Sequence, residues 1–402
     1  MKVKGSALIY SLMIMLVVGL IASSFLWMHE IKSKWYHEYA TSVRLQDNCY
    51  SGLVLLQQEW MSERNNILDL FEKQTDSVAL KSFMHGIFQV NHCSSFSFGD
   101  SLKKGTLNAP MGPQETLILE DQNYELALSG NTKILGNIQV PNGQVNTATF
   151  RGDIIRNREP VIGEVSPSPE EFPLLDERFI EHLNQVYSPL EFEVAYPEYS
   201  RMHAFNGSFE KETLRFHLQG ALHLKGDTLA GNCVISSDRS IHIHSDCALN
   251  HTVLIAPSIY VQDGFEGSVQ LFVTDTLVLQ PHVNLEFPSA CVAKAREDNP
   301  VHMEIMKKSK VEGILLVLSE NNTGRLVIHH EAKIQGQVYS HIPLQLEGLV
   351  EGSIVSHAFV QQDASAIRHN LLYNGEIYGS ESTAMVHFFE NEKTLHPIAW
   401  LD

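Results

Sequence analysis

The sequence is short of positive charge. Its 402 residues hold 29 Lys and Arg against 47 Asp and Glu, a formal net charge of −18. Gripping a phosphate backbone needs clustered cations that release counterions, so nucleic acid is excluded as a principal partner. Cysteine is scarce too: Cys49, Cys93, Cys233, Cys247 and Cys291 make five. That is too few for a disulfide-dense scaffold, and an odd count leaves at least one thiol without a partner in the chain. No Cys-x-x-Cys occurs, nor Gly-x-Ser-x-Gly, Gly-x-x-x-x-Gly-Lys or His-Glu-x-x-His. The usual spacings for zinc, dithiol, nucleophile and phosphate chemistry are therefore missing. The expectation is a protein that is not an enzyme and carries no cofactor and no metal. What is present is 44% hydrophobic residues with only 19% charged, enough apolar material for a sizeable core rather than disorder.

The strongest local feature is an uncharged run from Ala7 to Trp27, preceded by Met1-Lys2-Val3-Lys4-Gly5. Twenty-one residues in a helix span about 31 Å, the thickness of a bilayer's hydrocarbon core. A helix satisfies its own backbone there, and Ser6, Ser11, Gly19, Ser23 and Ser24 are small enough for close helix contacts. A cleaved secretory signal is the alternative, with Ala22-Ser23-Ser24 as its cut site. Lys2 and Lys4 precede the run, while Lys32 and Lys34 beyond it are offset by Glu30 and Glu38. The bias places the N-terminus in the cytoplasm and the bulk of the chain beyond the inner membrane, periplasmic or extracellular. Membrane lipid is the first expected partner.

A short Lys-containing leader ending in glycine, followed by an unbroken apolar helix, resembles the N-terminus of type IV pilins and pseudopilins. The resemblance implies peptidase cleavage after Gly5, methylation of the new N-terminal Ser6, and assembly with pilin-like proteins or other copies through the helix. Major pilins carry glutamate at the fifth mature position, where this sequence has Tyr10. That departure is similar to the minor, assembly-initiating kind.

Domain organisation follows from texture. Residues 1–27 form the leader and span, and 28–75 a membrane-proximal helix with Leu45, Cys49, Gly52 or Leu53, Leu56 and Trp60 on one face. A small mixed or β region covers 76–155, with alternation in Leu126/Leu128 and Ile134/Ile138/Val140. Residues 156–205 are rich in Pro and Glu and read as a linker with a short helix over 175–186. From 206 to 380 short strands return at a fixed interval. Ile241 and Ile243 recur as Ile259 and Val261, then as Leu277 and Leu279; Ile235, Val253 and Leu271 repeat likewise, as do Leu326/Ile328 and Leu344/Leu346, always 18 residues on. Such a period predicts a mainly β fold: a parallel β-helix of about 18 residues per coil, with one strand on each of three faces and apolar residues stacked in files. A right-handed coil is expected, because the aliphatic-Gly hexapeptide of left-handed coils is present only in pieces. A β-sandwich is the competing architecture. Residues 288–312 break the period and are expected to form a charged excursion loop; 381–402 form a C-terminal tail. The rung length is similar to that of bactofilins, and the joining of anchor and coil resembles uncharacterised bacterial envelope proteins.

Twenty histidines invite a metal, but His242 and His244 flank the inward Ile243 and so face solvent, while neighbours His329 and His330 cannot share a strand face. Cys233 and Cys247, 14 residues apart, fall short of one coil and would not stack; a disulfide between them is left open. Asp246, Asp263, Glu266 and Asp275 could line a flank for glycosidic chemistry, which asks for two facing carboxylates. The function these signals favour is a membrane-anchored structural or assembly protein of the bacterial envelope. The alternative is a tethered carbohydrate-binding or polysaccharide-degrading β-helix.

Overall fold

A computed structural model describes residues 4–69, 76–97, 99–112, 115–187, 204–296, 299–362, 366–379, 385–386, 388 and 395–401. Lys2, residues 188–203 of the expected linker and much of the expected tail lie outside them. The chain divides into two compact units: Met1–Leu56, Arg64–Lys81 and His92–Lys104 in the first, and Gln57–Glu63, Ser82–Asn91 and Gly105–Asp402 in the second.

In the first unit, helix α1 runs unbroken over Lys4–Gln57. No proline interrupts it, and Gly5, Gly19 and Gly52 are its only glycines. The 3.6-residue spacing of Leu45, Cys49, Leu53 and Leu56 gives a buried stripe that packs on Val78, Leu80, Cys93 and Leu102. Those four come from strands β2 (Asp76–His85), β3 (Phe88–Ser97) and β4 (Asp100–Gly112), which follow β1 (Arg64–Leu68) in one sheet. The membrane-proximal helix expected to reach residue 75 therefore stops at Gln57. Met61 adopts φ 60, a left-handed conformation no helix continues through, and Asn65 and Asn66, whose amides compete for backbone bonds, begin the extended chain. Trp60 keeps its place in the apolar period and is buried, but in a turn.

The second unit is a parallel β-solenoid of about 11 turns. Each turn places one strand on each of three faces, as in Thr228–Gly231, Cys233–Ser237 and Ser240–Ile243. On the third face Ile241, Ile259 and Leu277 stack in register, followed by Met303, Leu326 and Leu344. All six are fully buried, and each such burial contributes about 1.5–3 kcal/mol.

One expected file is displaced. Ile235 pairs with Leu254, not Val253, and Leu254 with Leu271. A bulge at His251, φ 54, adds a residue before this strand, and an irregularity between Ala256 and Ser258 removes it again. A one-residue slip exchanges the faces, so Val253 points outward. It is nevertheless buried, because the second face is covered on its outer side as well. Helix α2 (Glu177–Tyr187) lays Phe179 and Leu183 in the same outer cluster as Phe272, Val292, Leu316 and Tyr339. Asp176 caps it, accepting the Arg178 N–H at 2.9 Å. Two-sided burial explains why 313–318 reads Gly-Ile-Leu-Leu-Val-Leu without alternation.

Residues 288–312 are not an excursion. Asn284–Lys294, Val301–Ile305 and Lys310–Leu318 are strands, with Leu285 paired to Val311 and Met303 to Leu326. Extra residues between the strands, after Lys294 and after Leu318, lengthen the coil without breaking its ladder. Where consecutive coils bring backbones closest, Gly313, Gly336 and Gly352 stack at φ 149, 143 and 152. A Cβ on Gly336 would sit 2.0 Å from the Gly313 carbonyl oxygen.

The boundary at 206 also shifts. Segment 117–167, expected as mixed structure and linker, is part of the coil, stacked beyond its C-terminal end. Val350 pairs with Ile377, Ile377 with Ile134, and Ile134 with Val161. On the second face Ile354 pairs directly with Leu117, and Leu117 with Ile138. One turn is thus composite: Glu376–Tyr378 supplies its first face, Leu117–Leu119 its second and Leu126–Ser129 its third.

Candidate functional site

The feature that sets the first unit apart is the surface of α1. Leu8, Leu12, Leu16, Leu20, Phe25 and Trp27 are exposed, and so are the residues between them on every side. The run is long and apolar enough to cross a membrane, and nothing in the described chain covers it. Two of its serines are turned onto the backbone. Ser11 donates to the Leu8 carbonyl at 2.9 Å and Ser24 to that of Ile21 at 2.8 Å, so these two hydroxyls bond the helix's own backbone. Beyond it Trp35, Tyr36 and Tyr39 are exposed, the residue types enriched where a bilayer meets water. Gly5 and Ser6 fall in the helix's first turn. The bare surface does not end at Trp27: every residue from Ala7 to Tyr39 is exposed.

On the solenoid, the residues singled out from sequence do not converge. The Asp246 carboxylate accepts the Gly226 N–H at 3.0 Å, and Asp263 meets His282 Nδ1 at 3.0 Å. Both are corner residues holding adjacent coils. His242 is half-buried in a ladder, stacked on His223 at 4.5 Å and on Tyr260 at 5.0 Å between ring centroids. Burial first, then the neighbouring His223 and His244, holds its pKa below the usual histidine range. His329 Nε2 lies 2.7 Å from the Glu304 carboxylate, while His330 is exposed. Cys233 and Cys247 are both buried thiols, and burial pushes Cys233 up to about 12.

A different set gathers beside α2. A cleft of about 460 Å³ is lined by Glu120, Phe172, Lys294, Glu320, His341 and His357, among others. His357 bonds to the Glu120 carboxylate, and the Gln122 amide lies 2.7 Å from its Nδ1. His341 Nε2 meets the Tyr339 hydroxyl at 2.9 Å, and that hydroxyl donates to the Pro173 carbonyl at 2.8 Å. Burial lowers the pKa of His341, and burial lowers that of Lys294 against the opposing pull of Glu320. Sequence reasoning missed this cluster. Glu120 and His357 are 237 residues apart, and only the composite turn brings them together. Glycosidic chemistry asks for two unencumbered facing carboxylates; Glu120 is taken up by its histidine.

Neither the protein-family models nor the curated proteins contain a match to this chain. Among solved structures, the competence-associated pilin ComZ from Thermus thermophilus is similar over 84% of this chain and 86% of its own, at 11% identity and a TM-score of 0.26. A superposition that loose carries no argument about fold or role.

Proposed function

We propose that this chain is a non-enzymatic, membrane-anchored structural component of a bacterial envelope, minor-pilin-like, that displays a β-solenoid beyond the inner membrane. The uncovered helix surface carries the reading. Eleven Leu, Ile, Val and Phe residues lie between Ala7 and Trp27, and at about 0.3–0.6 kcal/mol each they favour lipid by roughly 5 kcal/mol. Lys4 before the span supports an N-terminus on the cytoplasmic side. Gly19 and the serines allow close approach to other apolar helices, either of pilin-like proteins or of further copies. The coil, with its files buried and its corners capped by Asp246 and Asp263, serves as the displayed body.

Processing after Gly5 is the sharpest test. The mature chain isolated from its native host is expected to begin at Ser6 by intact-mass measurement. An intact Met1 would remove the pilin-like part of the reading and leave an ordinary signal anchor; a start near Phe25 would remove the anchor altogether.

A further inference from the structure

Two of the five cysteines, whose spacing along the chain suggests no pairing, meet in the first unit. Cys49 sits on the buried stripe of α1 and Cys93 on β3, and both are wholly inaccessible to solvent. Cys49 Sγ lies 3.6 Å from the Cys93 carbonyl oxygen and 3.3 Å from that of Leu102. The two thiols are within hydrogen-bonding reach of one another. Cys93 Sγ also presses on the helix one turn further along. A Cβ placed on Gly52 would come within 2.6 Å of it, so the glycine makes room for the sulfur. By contrast Cys233, Cys247 and Cys291 are each buried in the solenoid core.

We propose that Cys49 and Cys93 form a disulfide that ties the helix to its sheet. The bond closes a loop across a separation of 44 residues, a span over which crosslinking removes much of the unfolded chain's freedom. The chemistry is thiol–disulfide exchange with a small or protein disulfide as oxidant. The Cys49 thiolate attacks a donor sulfur and releases one donor thiol. The Cys93 thiol then loses its proton and displaces the second donor thiol from Cys49. Two protons and two electrons pass from the pair to the donor, and one S–S bond remains. The hydrogen bond from Cys93, then the Ser95 backbone and the Lys104 charge, hold the Cys49 thiol low against burial, while the same hydrogen bond raises Cys93. Both groups are sealed once packed, so the exchange belongs to folding.

In the cell the bond rests on the extracytoplasmic placement proposed above; its geometry does not. The test therefore separates the two. Full-length chain is synthesised cell-free into lipid nanodiscs in a glutathione redox buffer, alkylated under denaturing conditions and mapped by mass spectrometry. One crosslinked peptide pair containing Cys49 and Cys93, two hydrogens lighter than the free thiols, is expected, with the other three cysteines alkylated. Five alkylated cysteines, or a different pair, would overturn the inference. A reductant is expected to lower the melting temperature of the oxidised chain and to leave Cys93→Ala unmoved; equal responses would also overturn it. Thiols trapped by acid quench in cells then report on placement. If the bond forms in nanodiscs but is absent in cells, the inference stands and the extracytoplasmic reading falls.

Discussion

The span of α1 and the files of the solenoid are built from the same few side chains, and those side chains go to opposite places. Leu16 in the first is exposed and Leu277 in the second is fully buried. The difference is one of period. An apolar run with no charged interval wraps the whole circumference of a helix, so no single neighbour can cover it. Apolar residues returning once per coil find their own copies above and below, and the chain covers itself. Composition is blind to this distinction, and spacing alone decides which surface needs a partner.

The contrast can be broken most severely at Leu277, held between Ile259 and Met303. Leu277→Asp buries an unpaired carboxylate and is expected to cost at least about 4 kcal/mol, enough to abolish the cooperative melt of the solenoid by circular dichroism. The same change in the span, Leu16→Asp, should leave that melt in place. It should instead deplete the chain from carbonate-washed membranes, since a central Asp costs about 3 kcal/mol on insertion. If both variants behaved alike, the division between the two surfaces would be wrong.

A finer cut compares turns made of consecutive residues with the composite one. Ile134→Ala is expected to lower stability by roughly 2–5 kcal/mol, as a buried Ile→Ala change does in a packed core, and Ile259→Ala to do the same in chemical denaturation. A near-neutral Ile134→Ala would mean that segment 117–167 does not stack on Ile377.

The smallest effect is graded by pH. His85 is buried, with Nε2 2.7 Å from the His251 carbonyl oxygen, and burial pushes its pKa down to about 4. Unfolded, it takes a proton near pH 6.5, so the unfolded chain binds more protons between the two values. The stability gained by keeping it neutral is complete above pH 6.5 and is lost as pH falls toward 4, about 2 kcal/mol by pH 5. The fall in melting temperature from pH 7 to pH 5 should be smaller in His85→Gln than in the native chain. An identical fall would show that this ring does not sense the pH.

The same division of surfaces explains what could be read in advance. The span and the consecutive coils around 241–279 were legible because their signals are local: charge-free length in one case, an 18-residue return in the other. The bulge at His251 was not, since the residue it inserts is cancelled at Pro257 and the period looks unbroken from outside. Residues 288–312 misled for the opposite reason, because longer corners disguise strands that keep their register. The cleft was beyond reach. Its residues belong to neighbouring turns only once 117–140 is known to follow 376–378, an adjacency that no spacing between positions 120 and 357 encodes. The meeting of Cys49 with Cys93 was out of reach as well, since the helix stripe held Cys49 but no period marked the strand that faces it.

The composite turn also imposes a timetable. Leu117–Leu119 leaves the ribosome more than 200 residues ahead of Ile354 and Ile377, the places where its turn closes. Those early strands wait with open edges while nearly the whole coil is made. The last stage of winding is then a docking step that fastens an early segment onto a late one, so a stalled or shortened chain would be left with its spool unlatched.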